Sequence, residues 1–182
     1  MHPHLTQVFS RLDRARAALR AAVDAVAAGL QRQRPAPERW STAEVLEHLA
    51  LVEAIFIGRI AAAIEQARGG LGPEAASCAS LPEPVAARMA DRANRRNAPD
   101  TAQPTGTLDV SAAWAAMEAG HDRLRGLVRR ADGLALSQVT VDHPVFGSMT
   151  VYQWVELMAA HEGRHTEQIK EVAAAFAASG QR

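Results

Sequence analysis

Four segments of this chain place apolar residues at three- and four-residue spacing, and in three of them the apolar stripe is interrupted by histidine. Such spacing commits each segment to a helix with one buried face. The first, over residues 5–31, aligns Val8, Leu12, Ala15, Leu19, Ala22, Val26 and Leu30. A second, over 41–68, follows the break at Pro35 and Pro37, with Val45, His48, Val52, Ile55 and Arg59 on its stripe and Leu49 and Phe56 beside it. The third, over 109–131, reads Val110, Trp114, Met117, His121, Leu124 and Val128. In the fourth, over 150–178, the stripe is Val151, Trp154, Met158, His161, His165, Gln168, Val172 and Ala175.

The starts of these helices are written in the sequence. Ser41 with Glu44, and Thr150 with Gln153, have the spacing of a capping box, in which hydroxyl and N3 side chain each satisfy an otherwise unpaired backbone N–H. Trp40 with Val45 and Met149 with Trp154 are placed to staple the same two ends, and Asp109 can cap the third helix. Between the second and third helices, residues 69–107 hold no sustained helix beyond one short turn or helix between Pro82 and Pro99. That length predicts a crossover along the bundle, or a lid over one end. The connector before the last helix carries turn signals around Pro144–Gly147 and room for some extended structure. The expectation is one all-α domain over residues 1–182, a four-helix bundle with a long crossover between helices two and three.

Charge and cysteine content narrow the partners. Lys plus Arg equals Asp plus Glu at 20 each, so no basic excess draws the chain to nucleic acid. No segment has the continuous apolar run of a membrane span or signal peptide. The lone Cys78 in a Gly/Pro/Ser-rich stretch fits a reducing, cytoplasmic setting and makes a weak nucleophile candidate.

The histidines carry the chemistry. At 100° per residue His161 and His165 lie about 40° apart on the last helix, with Gln168 about 20° to the other side of His161. His48 holds the equivalent apolar face of helix two. Folding the bundle would bring three imidazoles together, and ligation of a divalent metal explains burying them: zinc or nickel, with manganese or iron as further candidates. HEGRH at 161–165 also matches the H-E-x-x-H pattern of metalloproteases. The chain lacks a strong substrate-binding strand and a distant third ligand, so Glu162 is expected on the helix surface or behind a ligand. His121 is a candidate proton acceptor and Gln168 a candidate orienting group, against the plainer reading of His121 as a satisfied core residue.

WSTAEVLEHLALVE at 40–53 and HPVFGSMTVYQWVELMAAHEGRHTEQI at 143–169 resemble the DinB/YfiT-like superfamily of metalloenzymes. The resemblance spans nearly the whole chain and implies metal histidines at His48, His161 and His165, with no ligand role for His143. It implies a metal-dependent hydrolase, or a transferase or isomerase using a low-molecular-weight thiol, acting on a small-molecule substrate. The opposing expectation is a non-catalytic metal-binding module that forms a homodimer through a helix face.

Overall fold

A computed structural model describes residues 1–93 and 97–180. Its long helices are α1 (Pro3–Asp24), α2 (Thr42–Ala67), α4 (Val110–Arg130) and α5 (Val151–Ala178), with the short α3 (Glu83–Ala90) inside the crossover. The expected short helix after Pro82 is α3; residues 94–96, at the end of that expected span, lie outside the described residues. A hairpin of β1 (Thr140–His143) and β2 (Gly147–Thr150) precedes α5, paired antiparallel from Thr140 opposite Thr150 to His143 opposite Gly147. Both capping boxes form, Ser41 with Glu44 and Thr150 with Gln153, and the Asp109 side chain accepts from Ala112 N.

Two helices depart from the expected pattern. α1 ends at Asp24 rather than near residue 31, because the Gln31 side chain folds back and donates to the Val23 and Val26 carbonyls. Leu30, in a separate 3₁₀ turn, still packs against the core. On α2, Arg59 is exposed and Ile55 only partly buried, while Ile57, Ile60 and Ile64 are buried. The stripe swings because the far half of α2 packs against α4, where Ile57 closes on Gly120.

α1 packs along α5, and α2 packs along both α4 and α5. Side-chain pairings give the directions. Arg11 with Glu156 and Arg16 with Glu162 make α1 and α5 parallel. Phe56 beside Trp154 and His48 beside His165 make α2 antiparallel to α5. Arg125 with Asp13, and Arg20 over Trp114, make α4 antiparallel to α1. α2 and α4 are therefore parallel, and joining the end of one to the start of the other requires the chain to return the length of the bundle.

That return is pinned at both ends. At the far end the Glu74 carboxylate accepts from Ser137 N and Oγ and from the Tyr152 hydroxyl. Near the start of α2 the Glu47 carboxylate accepts from Thr105 N and Oγ1 and from Gly106 N. Gly106 has φ +73°, a left-handed turn that suits glycine. In between, Leu81 N donates to Glu156 and Gln153 to the Ser80 carbonyl, which lays α3 along α5.

The core is two apolar clusters separated by one layer of charge. One cluster holds Leu12, Ile57, Leu124 and Met158; the other holds Leu19, Leu49, Met117 and Ile169. Between them each long helix contributes one polar residue: Arg16, Glu53, His121 and Glu162. The Arg16 guanidinium donates to both carboxylates, at 3.0 Å to Glu53 Oε2 and 2.8 Å to Glu162 Oε1. Glu162 is completely buried, which overturns the helix-surface alternative, and it is paired with Arg16 and His121. Burial, and then the charge of Glu162, push the Glu53 carboxyl well above its usual range. Burial pushes Glu162 the same way, but His121 and Arg16 outweigh it and hold Glu162 ionised.

Two outcomes follow from this framework. Arg16→Met leaves buried carboxyls without their cation and should cost about 3–5 kcal/mol in urea unfolding, whereas making the whole layer apolar should recover most of that loss. For Glu74, burial raises the carboxyl but its hydrogen bonds prevail and hold it below the usual range. A depressed folded value means stability present above the unfolded pKa and lost as pH falls through the folded one. Glu74→Gln should therefore lose about 1–3 kcal/mol at neutral pH, with the gap to wild type closing in acid.

Candidate metal centre

Three histidines from two helices converge beside the charged layer. α2 and α5 run antiparallel, so His48, two turns into α2, meets the middle of α5. There the i,i+4 spacing sets His161 and His165 one above the other. Ring centroids are 4.9 Å apart for His48 and His165, 5.4 Å for His48 and His161, and 4.6 Å for His161 and His165. One nitrogen from each ring lies within 4.8 Å of those of the other two. His48 and His165 are buried and His161 is partly exposed. Trp40 packs on His48 from the outer side, with centroids 5.0 Å apart.

Hydrogen bonds decide which nitrogens face inward. His48 Nδ1 lies 2.7 Å from the Ala102 carbonyl, which can only accept, so Nδ1 carries the hydrogen and Nε2 keeps its lone pair. His165 Nδ1 lies 2.9 Å from Gln168 Oε1. Arg92 Nη1 reaches the same oxygen at 3.4 Å and can only donate, which identifies that atom as the amide oxygen. His165 Nδ1 is then the donor and its Nε2 also carries a lone pair. That lone pair faces His161 Nε2 at 3.1 Å.

The donor set fits a metal ion. Two nitrogens bound at about 2.0–2.1 Å to one ion, at right to tetrahedral angles, stand roughly 2.9–3.4 Å apart. The His161–His165 separation falls within that range. Burial, then the nearby His48, Arg164 and His143, push His161 down to about 3. Burial also lowers His165 and His48, so all three rings are neutral at pH 7, the form that ligates.

The other candidate residues sit elsewhere. His121 belongs to the charged layer: its Nε2 is 3.3 Å from Glu162 Oε1, in ion-pair range though not aligned for a hydrogen bond. Glu53, His121 and Glu162 also converge within 4.8 Å. Arg16 already stands among them as the cation of that layer, and a metal there would meet its fixed charge. Cys78 is a poor nucleophile, since burial and then the Glu74 charge raise its thiol. His143 accepts from Val145 N and Phe146 N, holding the hairpin turn. Sequence patterns do not single out Arg16 or Glu53, although each sits on its helix at the spacing of a core position, Leu12–Arg16–Leu19 and Leu49–Glu53–Ile57. Nor do they give any sign of the Ala102 carbonyl.

Comparison with known proteins agrees with this architecture. The chain is 26% identical over 141 residues to the uncharacterized protein YuaE of Bacillus subtilis (strain 168), covering 77% of this chain and 81% of that protein. Its fold matches the crystal structure of TT2238, a four-helix bundle protein, with a TM-score of 0.61 and 19% identity, covering 91% of this chain and 98% of the other. No helix among the described residues is long and apolar enough to cross a membrane. The family model of the DinB superfamily matches residues 11–169, a stretch that contains all three converging histidines, and this chain belongs to that superfamily.

Proposed function

We propose that His48, His161 and His165 bind one divalent ion, and that the protein is a small metalloenzyme. The observation that carries this reading is the convergence of three neutral imidazoles, two of them with their outer nitrogens already donating to fixed acceptors. The group counts three side chains among the described residues, one fewer than a closed structural zinc site uses. That favours an enzyme over a purely structural metal module. An all-imidazole set suits zinc or nickel, with manganese or iron as further candidates.

When bound, such an ion supplies a Lewis acid that generates hydroxide near neutral pH or holds a thiolate. Hydrolysis and transfer of a low-molecular-weight thiol are the two reaction classes proposed. The partly exposed His161 marks the side from which a small-molecule substrate enters. Gln168 orients His165, the outer-partner role that sharpens a ligand's direction and basicity. His121 stands beside Glu162, the chain neighbour of His161, and is not among the proposed ligands. The ligand set comes from one chain, so the proposal needs no dimer. It places the protein in the cytoplasm, where the Cys78 thiol stays reduced.

Metal analysis of protein purified without an affinity tag, with anaerobic titrations of variants, tests this reading. Alanine at His48, His161 or His165 should weaken binding by more than the roughly 10–100-fold expected for Gln168→Ala. His121→Ala should keep most of the metal. Circular dichroism run in parallel separates ligand loss from unfolding. Equal affinity in wild type and His48→Ala would sink the three-ligand assignment.

A further inference from the structure

The crossover reaches the histidine group from both helices that supply it, directly at His48 on α2 and through Gln168 on α5. On the α2 side, the carbonyl of the buried Ala102 takes the His48 Nδ1 hydrogen, and Glu47, one residue before His48, holds Thr105 and Gly106. On the α5 side, Arg92 makes a two-point pair with Glu171, at 3.2 and 2.9 Å, and extends its third nitrogen to Gln168 Oε1, the acceptor of His165 Nδ1. Arg164, the residue before His165, donates to the Met89 and Asp91 carbonyls. A segment that only had to bridge two parallel helices would have no need to engage the outer nitrogen of His48 and the amide oxygen that holds the outer nitrogen of His165.

We propose that Arg92 is a positioning residue of the metal centre and that the crossover, over residues 83–93 and 97–106, is energetically coupled to metal binding. The inference rests on the metal reading above. Arg92 fixes the orientation of the Gln168 amide. That amide fixes the tautomer of His165 and so the direction of its Nε2 lone pair. Were the amide to turn, its NH₂ would face His165 Nδ1 and push the hydrogen to Nε2, the nitrogen needed for the ion. The Ala102 carbonyl does the same for His48, with Glu47 holding the turn that follows it. Linkage makes the effect reciprocal: a bound ion that favours the Nδ1–H forms strengthens both contacts to the crossover, and loosening the crossover weakens the ion by the same factor.

Hydrogen exchange on the full chain, with and without zinc, reads one direction of this coupling. Peptides within 83–93 and 97–106 should gain about tenfold protection on zinc binding in wild type and none in His161→Ala. Arg92→Leu reads the other direction. It should weaken zinc about tenfold, the low end for losing an outer partner, and shift the ligand-field bands of the cobalt(II)-substituted protein. Arg39→Leu is the control, because Arg39 pairs with Glu171 Oε2 without reaching Gln168; its affinity and cobalt spectrum should match wild type. Circular dichroism verifies that both variants fold. If wild type binds zinc but the crossover gains no protection, or Arg92→Leu matches Arg39→Leu, the coupling is overturned and the metal site stands. If wild type binds neither zinc nor cobalt, both readings fall together.

Discussion

One layer of buried charge sets the register of the whole bundle. Arg16, Glu53, His121 and Glu162 come one from each long helix and lie at the same height, with apolar clusters above and below. Apolar stripes tolerate sliding by a turn, because one leucine replaces another at similar cost. A guanidinium between two carboxyls does not, since a one-turn slip strands a charge in the core, a penalty of several kcal/mol. A buried ion group of this kind adds little to net stability over well-packed apolar residues of the same volume, but breaking it is costly.

The histidine group inherits its geometry from that layer. Glu162 is the immediate neighbour of His161, and Glu53 lies just over one turn beyond His48. Fixing Glu162 and Glu53 on one arginine therefore fixes α5 against α2 at the height where the three imidazoles meet. The faces are distinct as well: successive residues on α5 send Glu162 toward α1 and α4 and His161 toward His48. Charge and imidazoles thus share a level of the bundle without competing. Arg16 is the cation of the carboxyl layer, whereas the imidazole group, among the described residues, has no cationic side chain of its own.

The parallel arrangement of α2 and α4 then explains why the crossover is long and why it reaches the histidines. A chain that must travel the length of the bundle passes over the groove between α2 and α5, and its polar backbone needs partners there. Glu47, Glu156 and His48 supply them, and the crossover's own Glu74 ties its other end to Ser137 and Tyr152. What looks in sequence like a loose Gly- and Pro-rich stretch is held down by carboxylates on the long helices and by hydrogen bonds to their ends.

Much of this architecture is legible in residue order alone. Periodicity, capping boxes and Asp109 locate the helices because those signals act within a few residues of chain. The shared face of His161, His165 and Gln168 is legible for the same reason. The end of α1 is not, since Gln31 closes it by reaching back to Val23 and Val26, and neither is the swing of the α2 stripe, which depends on which neighbour α2 packs against. Glu162 invites a surface reading because a carboxylate on a helix is solvated unless a cation from another helix meets it. Residue identity and spacing thus settle the helices and the local pairing of His161 with His165. Packing between helices settles the rest: that Arg16 buries two carboxyls, that His48 closes the group, and that a backbone carbonyl at Ala102 orients it. Those depend on distances between segments far apart in the chain, and a carbonyl oxygen leaves no mark on residue identity.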